Sequence, residues 1–311
     1  MTKNKRLFPL AFTAVCCLGI SSAFSAPYTG WMNDYTGAEA NTLLLWKFDN
    51  TGTEESPSYG YDSSGNDYSA RFATGTGGGD TQANVGSAAG LTATGVSGKF
   101  DGGFQSGPGG STQHNAYVRN SDASVFNASA MSVDFWFKPE LDDVGTLNWI
   151  WLFDKWRNDT NPGSNADNSG IALRINQAGT GNEGRLELLV GNGTITRTAV
   201  TGSLDWEADT WYHIAVTFEN INNDGHLKIF RDGQLLGDNT VVDFGDAAAG
   251  SYTWRLGNRI TSSYGSAPGI YDNFRISSVS YEYAIPEPGT LTLFLLAPLF
   301  GFFNKRKHYE K

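Results

Sequence analysis

Two pairs of carboxylates have the spacing that acid–base chemistry on a strand would need. Glu140 and Asp142 stand two residues apart, and so do Glu207 and Asp209. Side chains at i and i+2 of a strand share a face, and retaining glycoside hydrolysis uses two carboxyl groups about 5.5 Å apart. Neither pair is followed by a Glu three residues on, and both adjoin turns, where carboxylates face solvent. A glycoside hydrolase or lyase is therefore the last-ranked reading, and non-catalytic binding the main one. Other chemistries are poorly served. The two cysteines, Cys16 and Cys17, lie in the apolar N-terminal run, no Ser sits in a G-x-S-x-G elbow, and no H-E-x-x-H occurs. His213 has no nucleophile or metal partner near it in sequence, and the Gly75–Asp80 run lacks the Lys-Ser/Thr of a phosphate loop.

Aromatic residues point to binding. Of nine tryptophans, Trp136, Trp149, Trp151 and Trp156 cluster within one short stretch, and an indole face can stack on a sugar ring while polar neighbours orient it. Trp156, flanked by Lys155, Arg157 and Asn158, reads as an exposed loop position. Trp136 and Trp149 are its candidate companions in a ligand platform, although tryptophan is also ordinary core material.

The elements that must position these groups are strands. Trp211 to Phe218 alternates, with Tyr212, Ile214, Val216 and Phe218 on one face and Trp211, His213, Ala215 and Thr217 on the other. Asn222 to Gly225 breaks the pattern, Leu227 to Arg231 resumes it, and Asp232-Gly233 provides a tight hairpin turn. Ser132 to Lys138 alternates as well, sending Val133, Phe135 and Phe137 one way and Asp134, Trp136 and Lys138 the other. Leu43–Phe48, Trp149–Asp154, Ile171–Ile175, Leu186–Val190, Tyr252–Leu256 and Gly269–Ile276 read as further strands, and Gly98–Gly103 with Ala116–Arg119 as the edges of another hairpin. In the last strand Ile270, Asp272, Phe274 and Ile276 share a face, so the carboxylate of Asp272 must be paired or ligated there. With 13% aromatic residues, 38 glycines and no long 3.6-residue period, the chain reads as all-β.

Both ends read as addresses. Lys3, Lys5 and Arg6, an apolar run over Leu7–Ile20 and a small-residue exit make residues 1–25 a secretory signal peptide. At the other end Pro286-Glu287-Pro288 precedes an apolar run, Leu291–Phe303, and a basic cluster, Lys305-Arg306-Lys307. That run reaches only about 20 Å, short of the roughly 30 Å of a bilayer core. The order of these three elements over 286–311 resembles the PEP-CTERM sorting signal of exopolysaccharide-producing bacteria. The resemblance implies a short transmembrane helix, recognition by an exosortase-type enzyme, and delivery to the cell surface or extracellular matrix, with association at the bacterial membrane before processing. Seven of the 22 basic residues but only two of the 32 acidic ones lie in the two ends, so the body at 26–285 carries a net charge near −15. A nucleic-acid partner is excluded on that ground, and divalent cations are natural counter-ions.

The strand sequences LLWKFDN, GKFDGG, SVDFWFKP, GIALRI, WYHIAVTF, GHLKIFRDG and GIYDNFRIS, in that order, resemble the laminin-G-like jelly roll of the concanavalin A-like class. The resemblance implies two antiparallel sheets packed face to face, with the first and last strands adjacent and a calcium ion near their junction. The ligands it implies here are Asp272, Asp49, Asp62 and Asn66. Asn273 departs from the pattern, where a second acid is common. The expected function is that of a surface or matrix protein that binds polysaccharide or glycoprotein; a structural or adhesive matrix protein without a small ligand is the alternative.

Overall fold

The computed structural model describes residues 28–35, 39–49, 59–60, 62–74, 96–106, 114–118, 125–140, 142, 150–156, 168–176, 181, 183–250, 253–257 and 267–283. The expected signal peptide, the C-terminal tail and Trp149 lie outside these residues. The described strands, numbered in chain order, form two sheets of a sandwich. The first runs β14 (Gln234–Val241), β13 (Asp224–Arg231), β12 (Tyr212–Ile221), β7 (Ala130–Pro139), β16 (Gly269–Ser277), β5 (Gly102–Ser106), β4 (Val96–Ser97), with β1 (Thr42–Trp46) also pairing β16. The second runs β11 (Thr196–Val200), β10 (Leu186–Asn192), β9 (Ser169–Ile175), β8 (Ile150–Trp156), β15 (Arg255–Leu256), β6 (His114–Val118), β3 (Ala70–Thr74), β2 (Tyr59–Gly60). All these pairings are antiparallel, the jelly-roll arrangement expected.

Alternation decides what fills the sandwich. Val133, Phe135 and Phe137 of β7 and Tyr212, Ile214, Val216 and Phe218 of β12 point into the core, where they meet Leu173, Leu188 and Phe153 of the second sheet. Trp136 and Ala215, of opposite parity, lie on the outer face. The two hairpins of the β12–β13–β14 meander turn on consecutive left-handed residues, Asn222 (φ 54°) with Asn223 (φ 75°) and Asp232 (φ 53°) with Gly233 (φ 75°), the geometry that suits the twist of paired strands. β1 and β16 are neighbours, Leu44 opposite Ile276 and Trp46 opposite Phe274.

Two expectations are corrected, and two strands are added. The alternation of Ile270 to Ile276 is broken by a bulge between Asp272 and Arg275, where Asn273 takes φ 49°. Phe274 and Ile276 therefore enter the main core, while Asp272 stands opposite Trp136 of the outer face. The Gly98 and Ala116 segments are not one hairpin: β5 pairs β4 and β16 in the first sheet, and β6 pairs β3 and β15 in the second. The polar stretch after β1 carries strands β2 and β3, which pair at Tyr59–Arg71 and Gly60–Ala70.

Candidate functional site

The structure separates the tryptophans that cluster in sequence. Trp136 lies on the outer face of the first sheet, packed with Trp31, Phe230 and Tyr283. Trp156 lies with Trp151, Ala172 and Leu189 in a separate cluster on the second sheet. The two cannot share one ligand. The expected exposure of Trp156 is also corrected, since only 2% of its surface is open. β8 continues through Lys155 to Trp156, which pairs Gly170 of β9, so the position is sheet rather than loop.

The four candidate metal ligands divide in two. Asp62 Oδ1 accepts the backbone N–H groups of Leu45 at 3.0 Å and Ser64 at 2.9 Å, and Oδ2 accepts the Ser64 hydroxyl at 2.7 Å and Tyr68 N–H at 2.9 Å. Asn66 Nδ2 donates to the carbonyls of Thr42 at 3.2 Å and Leu43 at 3.0 Å. Both therefore fasten the 62–68 turn to β1. Asp49 and Asp272 instead flank the β4–β5 turn. Gly102 N–H donates to Asp49 Oδ1 at 3.1 Å and Phe100 N–H to Asp272 Oδ2 at 2.7 Å, while Lys47 Nζ lies 3.1 Å from Asp49 Oδ2. Asp272 Oδ1 and Asn273 Oδ1 are buried without a hydrogen-bond partner. Burial, with the nearby Asp49 charge adding to it, pushes the Asp272 carboxyl up to about 8. Three non-glycine residues at this junction are left-handed: Phe48 (φ 60°), Asp101 (φ 45°) and Asn273. Local strain of this kind persists only where surrounding contacts enforce it. Among the described residues no group of three or more His, Cys, Asp or Glu is placed to hold a metal; the half-site offers two carboxylates and an amide oxygen.

A second cluster of polar groups lies beside Trp136 and went unseen in the sequence. Asp134, fully buried, takes the Tyr283 hydroxyl at 2.8 Å, Arg275 Nε at 3.0 Å and the Tyr35 hydroxyl, with His213 Nε2 at 3.5 Å. Trp31 stacks on the His213 ring, centroids 4.5 Å apart. Tyr28 N–H bonds Glu282 O at 2.7 Å, and the rings of Tyr28 and Tyr281 stack at 4.3 Å. The segments at 28–35 and 281–283 thus form a clasp over the outer face. Asp134, His213 and Arg275 come from neighbouring strands, so strand order was the signal that could have revealed them.

Burial lowers the His213 pKa against the opposing pull of Asp134. Burial alone would raise Asp134, but the Arg275 guanidinium, with His213 and Tyr35, holds it down, from 3.8 to about 2. Both groups bind protons more readily unfolded, so stability falls on acidification. The first loss is expected as pH drops below the ordinary histidine value near 6.5. The Asp134 contribution, about 2 kcal/mol, goes between pH 3.8 and about 2. Thermal melts across this range should show both stages, and His213→Gln should remove the first and, by taking away one of the groups that hold Asp134 down, diminish the second.

The family model of the concanavalin A-like lectin/glucanases superfamily matches residues 110–282. The chain belongs to that superfamily. The laminin-G-like resemblance is borne out with it. No curated protein matches the chain. Among solved structures it is similar to the binding domain of botulinum neurotoxin serotype C1, at 16% identity and TM-score 0.47, over 77% of this chain and 49% of that one. It is also similar to the serotype G binding domain, at 14% identity and TM-score 0.48, over 77% and 48%. A heptameric pentraxin from Limulus polyphemus aligns at 17% identity and TM-score 0.34, over 49% of this chain and 65% of that one. The chain spans about half the length of the toxin domains it matches.

The superfamily's description names both lectins and glucanases. Asp142 Oδ1 accepts Ala208 N–H at 2.7 Å, Glu140 Oε1 accepts the Gln105 amide, and Asp209 lies 3.9 Å from Lys138. The Ala208–Asp142 bond ties the two turns side by side, and Asp209 stays largely exposed.

Proposed function

We propose that this chain is an exported carbohydrate-binding protein that acts without a catalytic step at the cell surface or in the extracellular polysaccharide matrix. The observation that carries the reading is the lectin/glucanase-superfamily jelly roll, in which Asp142 fastens a neighbouring turn and Glu140 bonds Gln105. Residues 1–25 direct export, and 286–311 act as a PEP-CTERM sorting signal for an exosortase-type enzyme, with transient association at the membrane. Burial of seven of the eight described tryptophans favours, as a second reading, a structural or adhesive matrix role. Calcium fits the junction half-site: Asp272 and Asp49 would hold it, aided by the Asn273 amide oxygen, since hard cations take oxygen ligands and a carboxylate oxygen is buried there without a partner. The ion would neutralise two neighbouring carboxylates.

Affinity electrophoresis of the purified chain through gels containing neutral and acidic polysaccharides tests the reading, with calcium or chelator in parallel. Retardation by at least one glycan is expected, stronger with calcium. Mobility unchanged by every glycan in both buffers would leave the adhesive role, and release of shortened sugar products would restore the hydrolase or lyase reading.

A further inference from the structure

Stacking on sugar needs an indole with an open face, and that requirement selects among the tryptophans. Trp31, Trp46, Trp136, Trp151, Trp156, Trp206 and Trp254 are at most 7% exposed. Trp211 alone among the described tryptophans is half-buried, packed toward the Trp136 cluster on one side, with the flexible Lys138 side chain carrying its Nζ over the ring. It precedes β12 on the outward parity of that strand, next to His213, whose partner is Trp136.

The register places Trp211 at the end of a row. Gln105 of β5 stands opposite Ile270 of β16, and Ile270 opposite Lys138 of β7. Tyr212 pairs Phe137, so Trp211 follows as the neighbour of Lys138. All four side chains are half-buried. Three strand spacings make the row about 14 Å long. One side is bordered by the Trp31, Trp136 and Phe100 cluster. The other is bordered by the two turns that Asp142 and Ala208 join. The result is a shelf with an indole and an ammonium at one end and an amide–carboxylate pair, Gln105 with Glu140, at the other.

We infer that this row is the carbohydrate-binding site, and that it takes an uncharged, hydroxyl-rich oligosaccharide. The inference rests on the carbohydrate-binding reading above and specifies its site and ligand. Lys138 Nζ lies over the indole, 5.4 Å from its centroid; when a sugar binds, the lysine swings aside to donate to hydroxyl oxygens and the exposed part of Trp211 packs against the C–H side of a ring. The Gln105 amide, one N–H of which donates to Glu140, has a second N–H and an oxygen with which to meet neighbouring hydroxyls. The charge balance sets the class. Lys138 faces Asp209 at 3.9 Å, Glu140 lies at the far end, and the chain as a whole is −10. A polyuronate would meet repulsion along the shelf.

The test titrates the purified chain with neutral hexasaccharides of glucose and mannose, and with hexagalacturonate for comparison, by calorimetry. A neutral oligosaccharide is expected to bind, and Trp211→Ala to weaken it about tenfold or more, the loss of one interfacial anchor. Gln105→Ala, at the opposite end and away from the Trp136 cluster, is expected to weaken it several-fold and guards against a fold defect in the first variant; near-ultraviolet circular dichroism checks both. Unchanged affinity in both folded variants overturns the site while the carbohydrate reading stands. Binding of hexagalacturonate in preference to the neutral sugars overturns the ligand class. Binding of no sugar, together with no retardation in the polysaccharide gels, overturns the carbohydrate reading itself.

Discussion

Arg275→Met is expected to destabilise the protein by about 3–5 kcal/mol, the cost of leaving a buried charge without its partner. For a body of this size that lowers the melting temperature by about 10 °C. Arg275 is 1% exposed and Asp134 fully buried, so solvent cannot replace the lost guanidinium. The hydroxyls of Tyr35 and Tyr283 would still donate to Asp134, but neutral donors only partly offset a desolvated carboxylate. The guanidinium also bonds the Tyr28 hydroxyl and Glu39 Oε2, the latter at 3.2 Å, and lies 4.4 Å from the Tyr35 ring and 5.1 Å from that of Tyr281. Both terminal segments of the clasp converge on it. Hydrogen exchange should therefore rise at 28–35 and 281–283 before it rises in the sheets. The double variant Asp134→Leu/Arg275→Met should recover part of the loss, because removing both charges removes the desolvation cost while leaving two tyrosine hydroxyls unpaired. A melting shift below about 3 °C for Arg275→Met would show that the clasp does not depend on the pair.

How far the fold can be read from sequence depends on how local its causes are. β7, β12 and β13 are legible because burial of one face imposes a two-residue period, and Asp232-Gly233 because the tight turn demands left-handed backbone. Asn273 defeats the same reasoning. A single bulge shifts the register of β16, and no local pattern distinguishes it from continued alternation. Trp156 misled because its polar neighbours resemble a loop, whereas the ladder to Gly170 extends β8 to that residue. Asp134, His213 and Lys138 share the outward parity of their strands, which normally means solvent; only the return of the distant terminal segments makes the first two buried. That return is a long-range contact with no local signature. Trp211, on the same outward parity, is half-buried against the Trp136 cluster.

Gly98→Ala is expected to cost about 3 kcal/mol, at the upper end of overpacking losses because the obstruction is backbone rather than a mobile side chain. A Cβ at position 98 would stand 1.9 Å from Gly102 O and 2.6 Å from Asp272 Oδ2. Neither can yield freely. Gly102 N–H is committed to Asp49, Phe100 N–H to Asp272, and Gly98 N–H bonds Asp101 O at 2.9 Å. The β4–β5 turn is thus wedged between the exit of β1 and the bulge of β16, and the methyl group must push it away from one carboxylate or the other. Gly202→Ala, where nothing lies within 4 Å of the added carbon, is the control and should be close to neutral. Melting curves of both variants with calcium and with chelator separate two consequences. If Asp49 and Asp272 hold a cation, calcium should raise the melting temperature of the parent and of Gly202→Ala, and raise that of Gly98→Ala much less. An equal calcium response in all three would detach the turn from cation binding, and an undiminished melting temperature in Gly98→Ala would show that the turn can relax away from Asp272 at little cost.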